Sequence, residues 1–185
     1  MIFSRRKNKL DLNLQKTRQS LLRVAFAWCN NETLAEDLVH EALTKALKNQ
    51  HQINDPTKSE AWIFKILNNC WLEYLRKSRP SENIDDMFIV DPRNTEQQTE
   101  QLQIVDKVRH AVAQLPNAQR QVVTLVDLKG FSYNEVASIL DIPAGTVMSR
   151  LNRARATLKQ KLIHYQPEST DKNTRPSSGS LRAVK

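Results

Sequence analysis

The side chains in this chain that could do chemistry are cations, amides and aromatics rather than nucleophiles. One group runs through AGTVMSRLNRARATLKQKL: Thr146, Met148, Ser149, Asn152, Arg153 and Arg155, with Arg150 among them and Lys159 beyond. Short polar side chains followed by guanidinium groups suit the base edges and phosphates of a duplex. A second group, Lys65, Asn68, Asn69, Glu73, Tyr74 and Arg76, is interleaved with Trp62 and Trp71. Aromatics beside amides and cations suit the stacking of unpaired bases and the holding of their backbone, although two tryptophans on one helix equally suit a core. A third group, Glu36, Asp37, His40, Glu41 and Lys45, is mostly acidic: a poor DNA contact, and either a protein contact or a solvated face. His40, His51, His110 and His164, with Cys29 and Cys70, make no ligand cluster, so no metal and no cofactor is expected. No nucleophile–base pair or paired carboxylates stand out, which argues against an enzyme and against a small-molecule substrate.

The elements that position these groups are helices. Three glycines in 185 residues are too few for a sheet-rich enzyme with tight turns and phosphate loops, and each of the seven prolines falls between apolar-periodic stretches or at the start of one. The fold class expected is all-α. Net charge is +8, unevenly spread: +3 over residues 1–11, +3 over 12–80, −5 over 81–105, +5 over 106–162 and +2 over 163–185. Two basic helical blocks are thus separated by an acidic, Gln-rich connector, and the surplus points to an anionic partner. The connector is read as a solvated loop, or as a segment that repels nucleic acid and holds the blocks apart, with Met87–Val90 able to dock locally. No apolar run approaches a membrane span, and MIFSRRKNKL lacks the apolar stretch of a secretory signal, so a cytoplasmic location is expected.

In the first block, Leu21–Cys29 is apolar apart from Arg23, and Thr33 with Glu36 has the form of a capping box for a helix with Leu34, Leu38, Ala42 and Ala46 on one face. Asp55 or Ser59 caps a third helix with Trp62, Ile63, Ile66, Leu67, Cys70, Trp71, Tyr74 and Leu75 as its stripe. In the second block, helices are expected over 102–114 (Val105, Val108, Val112) and 116–128, the latter stopped by Gly130. Ser132 and Glu135 make a capping box for SYNEVASIL, Asp141-Ile142-Pro143 turns the chain, and the last helix puts Val147, Leu151, Ala154 and Leu158 on one face. These spacings describe a helix-turn-helix whose second helix can enter a major groove. Asp141, where older repressors commonly carry Gly, tolerates left-handed backbone. A helix-turn-helix used only for protein contact has the same spacings.

Four strings in order resemble the extracytoplasmic-function (ECF) group, group 4, of the sigma-70 family. AEDLVHEALTKAL (35–47) is similar to the helix that grips the polymerase β′ clamp helices, and AWIFKILNNCWLEYLRK (61–77) to the helix that reads and melts the −10 element. LPNAQRQVVTLVDLKGFSYNEVASIL (115–140) is similar to the start of the C-terminal domain that sits on the β flap, and IPAGTVMSRLNRARATLKQKL (142–162) to the −35 recognition helix. Leu47 stands where the family commonly has Trp, and the stretch before Trp62 is polar where Phe is common, so the resemblance names no residue there.

The resemblance implies a promoter-specific initiation factor with two helical domains. A basic extension over 1–14 precedes a sigma2-like domain over 15–80, a flexible acidic linker over 81–104, a sigma4-like domain over 105–163 and a disordered tail over 164–185. It implies core binding by Asp37, Leu38, Glu41, Ala42 and Lys45. It implies −10 recognition by Lys65, Asn68, Asn69, Glu73, Tyr74 and Arg76, and −35 recognition by Ala144, Gly145, Thr146, Met148, Ser149, Arg150 and Arg153. The implied partners are core RNA polymerase, promoter DNA and an anti-sigma factor. A helix-turn-helix regulator acting without polymerase, as a dimer on a palindrome, and a protein-interaction adaptor are the alternatives.

Overall fold

A computed structural model describes residues 14–53, 55–78 and 100–163. The basic extension, most of the connector and the tail lie outside the described residues. The order is α1 (Leu14–Cys29), α2 (Glu32–Lys48), two single 3-10 turns (Gln50–Gln52, Pro56–Lys58), α3 (Ser59–Lys77), α4 (Glu100–Ala113), α5 (Asn117–Val123), α6 (Tyr133–Leu140) and α7 (Ala144–Leu162). The described residues are helical, in two bundles, α1–α3 and α4–α7.

In the first bundle Leu21, Val24, Ala25 and Trp28 of α1 meet Ala35, Leu38, Val39, Ala42 and Ala46 of α2, and the four alanines let the helices approach closely. The two helices join through Asn30, in left-handed backbone at φ 49°, and Asn31, whose side chain accepts from the Leu34 amide at 2.9 Å. The cap of α2 is therefore Asn31 and not Thr33, which already sits in the first turn. Asp55 caps the 3-10 turn ahead of α3 instead of α3 itself: its Oδ1 accepts from the Thr57 amide at 2.9 Å.

The second bundle follows its local signals closely. α5 runs on into a π-helical turn, Thr124–Leu128, and stops at Gly130, whose φ of 86° suits a residue without Cβ. The Ser132–Glu135 capping box forms, with the Ser132 amide donating to Glu135 Oε2 at 2.8 Å. Asp141 is left-handed (φ 56°, ψ 50°), and Val147, Leu151 and Ala154 are buried with Leu158 packed against them. The helix expected over 102–114 is present as α4, with Val105 and Val108 43% and 41% exposed, because α4 meets the body near its C-terminal end, where Ala111 is buried.

The bundles do not stand apart. Buried residues of both belong to one continuous core, and α3 packs on α6 while α1 touches α4, α5 and the π turn. Phe64 meets Phe131 edge-on at 5.1 Å, and Lys129 reaches Glu60 at 2.6 Å.

Candidate nucleic-acid interface

α7 divides cleanly into two faces. Pro143 supplies extended backbone before the helix, and no side chain caps the helix start. Gly145, Met148, Ser149, Asn152 and Arg153 are exposed, Ala144, Thr146 and Arg150 half-buried, while Val147, Leu151 and Ala154 point inward at 0–1% exposure. All seven residues expected to meet the −35 element thus lie together at the reachable start and outer side of one helix. A Cβ built on Gly145 would touch nothing within 4 Å, so the backbone there is open to approach. Arg155, by contrast, is engaged: its Nε donates to Asp127 Oδ2 at 3.1 Å and Nη2 to Oδ1 at 2.5 Å, and the hydrogen bonds to Asp127 raise its already high pKa.

On α3 the expected −10 residues separate. Asn69 and Arg76 are exposed and Lys65, Glu73 and Tyr74 half-buried, whereas Asn68 is 3% exposed and faces the second bundle. Its Oδ1 accepts from Gln121 Nε2 at 2.7 Å and its Nδ2 donates to the Ile139 carbonyl at 3.4 Å. Trp71, buried, donates Nε1 to Asn117 Oδ1 at 3.0 Å and stacks on Tyr74 at 5.7 Å. Glu73 is held by Lys77 at 2.8 Å and Lys45 at 3.2 Å. The hydrogen bond from Lys77, then that from Lys45, pulls its carboxyl down to about 2.

On α2, Asp37 and Glu41 are exposed, but Leu38 and Ala42 are 3% and 0% exposed. Both are core residues, on the face that packs α1 and α3, so the exposed side of α2 is Glu36, Asp37, His40 and Glu41, with Leu47 (45% exposed) at its end. Lys45 pairs with Glu41 at 2.7 Å as well as with Glu73, tying the outer side of α2 to α3, and its ammonium pKa is raised by Glu41 first.

Residues between the bundles were not legible beforehand. Trp28 Nε1 donates to Thr124 Oγ1 at 2.7 Å. Arg120, 7% exposed, donates Nη1 to the Trp28 carbonyl and Nη2 to the Leu115 carbonyl at 2.9 Å, while its Nε has no partner. Burial lowers the Arg120 pKa, and the neighbourhood supplies carbonyl acceptors in place of a carboxylate. The one signal for this cluster is an Arg-Gln pair set directly before the apolar Val122-Val123. Among the described residues no group of three His, Cys, Asp or Glu could hold a metal ion, and both cysteines are buried thiols. Among those residues, too, no helix is long and apolar enough to cross a membrane.

Comparison with known proteins agrees with this geometry. The family "Sigma-70 region 2" matches residues 14–80 and "Sigma-70, region 4" matches residues 106–158. The ECF RNA polymerase sigma factor EcfG of Rhodopseudomonas palustris (strain TIE-1) is 35% identical over 144 residues, 77% of this chain and 79% of that protein. The ECF RNA polymerase sigma-E factor of Escherichia coli (strain K12) is 31% identical over 141 residues, covering 68% of this chain and 72% of its own length. Among solved structures, the sigma factor RpoE of Bartonella quintana, in complex with the anti-sigma factor NepR, superposes with a TM-score of 0.63 at 25% identity, over 81% of this chain and 94% of that one. With both regions matched in order and the outer side of α7 exposed in the second, the chain belongs to the ECF sigma factors of the sigma-70 family, which direct RNA polymerase to promoters.

Proposed function

We propose that the chain carries out this role with three separate surfaces. The acidic outer side of α2, Asp37 and Glu41 with Lys45 fixed between Glu41 and Glu73, binds the β′ clamp helices, and the second bundle rests on the β flap. The start of α7 enters the −35 major groove, where Thr146, Met148, Ser149 and Arg150 reach base edges and Arg153 a phosphate. The outward residues of α3, Lys65, Asn69, Tyr74 and Arg76, hold the unpaired −10 strand. Unstacking costs a few kcal/mol per base, which pocket and stacking contacts offset. Duplex affinity without polymerase is low and falls with salt, because few cations take part.

The observation that carries this reading is the two-faced α7: inner side chains at 0–1% exposure, outer ones reachable. The reading includes a cytoplasmic location, and an anti-sigma factor as partner, as the Bartonella relative has. Two tests bear on it. Asp37→Ala with Glu41→Ala removes co-elution with core polymerase; unchanged co-elution counts against the α2 surface. Exchanging Ser149 or Arg150 changes −35 preference while core binding stays. Equal loss on every promoter would mean backbone contacts only.

A further inference from the structure

The outer side of α7 has two flanks of different chemistry. Residues two apart on a helix lie about 200° round the axis from each other, so Met148 and Arg150 face opposite ways. Gly145, Met148, Asn152 and Arg155 instead recur at the spacing of one stripe. On that stripe Met148 is the large apolar side chain, 44% exposed beside the buried Val147. Asn152 follows one turn later and is exposed. Arg155 has the fork that would suit a guanine, but it is occupied: Nε and Nη2 both donate to the Asp127 carboxylate. The stripe therefore offers DNA a thioether chain and a carboxamide, while its cation is already paired.

Those two groups match one kind of base pair. In the major groove thymine carries a C5 methyl that an apolar side chain can cover, and adenine presents N7 and N6–H2, an acceptor and a donor that an Asn side chain meets with both its polar atoms. G·C pairs present neither pattern, and their edges suit Arg, Lys or a carboxylate. Met148 and Asn152 are about 6 Å apart along the helix axis, about two base-pair steps, so each meets a pair of its own. Gly145, one turn before Met148, adds no side chain on that flank, which lets the stripe come close to the groove floor.

We propose that Met148 and Asn152 form an A·T-reading stripe, Met148 covering a thymine C5 methyl and Asn152 bonding adenine N6 and N7 on a neighbouring pair. This rests on α7 being the −35 helix. It makes Asn152 a further specificity-determining residue of that helix and gives Met148 a single atom group to recognise.

The test uses the holoenzyme, core polymerase plus the full chain, on a duplex bearing the −35 element enriched from a randomised library. At each A·T pair of that element in turn, thymine is replaced by deoxyuridine, which loses the methyl and keeps the pairing, or adenine by 7-deazaadenine, which loses N7. Affinity is measured at one fixed salt concentration. With the parent chain, deoxyuridine at one pair weakens binding about fourfold, the effect of one buried methyl group. At a nearby pair 7-deazaadenine weakens it roughly fivefold or more. The deoxyuridine effect vanishes in Met148→Ala and persists in Met148→Leu, whereas the 7-deazaadenine effect vanishes in Asn152→Ala and persists in Met148→Ala. Each effect is a ratio within one variant, so a general loss of affinity does not imitate it. An element without A·T pairs, no response to the analogues, or a response that survives the matching variant overturns the proposal. Scrambling the whole element separates the two levels. If scrambling weakens binding and the analogues do not, α7 remains the −35 helix and only the stripe is wrong; if scrambling changes nothing, the −35 reading fails and the stripe with it.

Discussion

Asp141 offers a quantitative check on how α7 is aimed. It sits at φ 56°, ψ 50° between α6 and α7, and the Ile142 amide donates back to the Ala137 carbonyl at 3.0 Å. An L-residue in left-handed backbone costs roughly 1–2 kcal/mol, somewhat less for Asp. Asp141→Gly relieves that strain but lengthens the menu of unfolded conformations by about 0.4–1 kcal/mol, so the net gain is about 0.5 kcal/mol. Asp141→Val, β-branched, loses a further ~1–2 kcal/mol. Valine and glycine variants should therefore differ by roughly 2 kcal/mol, or roughly 4–8 °C in Tm for a chain of this size. Thermal unfolding followed by circular dichroism reads the order Gly, Asp, Val from most to least stable. The glycine variant should keep its −35 preference, since the turn geometry is retained. A valine variant as stable as the glycine one would refute a left-handed turn residue, and with it the crossing of α6 and α7.

Other expectations follow from the same contacts. Leu151→Ala, at 1% exposure, costs about 2–5 kcal/mol, whereas Arg153→Ala two positions on leaves stability within about 0.5 kcal/mol. If Arg153 meets a phosphate, its removal lowers the salt slope of promoter binding by about 0.9, and an unchanged slope excludes that contact. Glu73, held near 2 in the fold, is depressed below its unfolded value near 4.3, so its stabilisation is complete above that value and lost as pH falls from about 5 toward 2. Glu73→Gln should flatten that part of a urea-midpoint-against-pH curve; an identical acid limb would disprove the Lys77–Glu73–Lys45 coupling. Ser132→Ala, which breaks the capping box, should cost about 1 kcal/mol by urea titration, and no loss would mean α6 does not depend on its cap.

What could be read from the sequence divides by range. Gly130, the Ser132–Glu135 box, Asp141 and Pro143 act within a few residues of themselves, and α6, the turn and α7 could be drawn from them with the correct inner stripe. Neighbouring candidates of the same type were harder: Asn31 and Thr33 are both good caps, and only backbone geometry separates them. Residues 35–47 carried the polymerase-binding resemblance, but two of the expected contacts, Leu38 and Ala42, are what holds α2 to its bundle. Val105 and Val108 are periodic without being buried, because nothing in a period says how far along a helix its neighbour extends. Asn68, Arg120 and Gln121 were hidden most deeply, since their partners lie 53, 71 and 92 residues away in the chain. Arg120 and Gln121 looked like ordinary polar residues, and Asn68 like a DNA contact, until the bundles met.

The most direct measurement is transcription by core RNA polymerase plus this protein from a randomised promoter library, with the start sites sequenced. Two short enriched elements at fixed separation, the upstream one altered by exchange at Ser149 or Arg150 and the downstream one weakened by Asn69→Ala, are the predicted result. Transcripts without enriched elements, or enrichment indifferent to all three residues, would contradict a recognition helix at α7 and a strand-holding surface on α3.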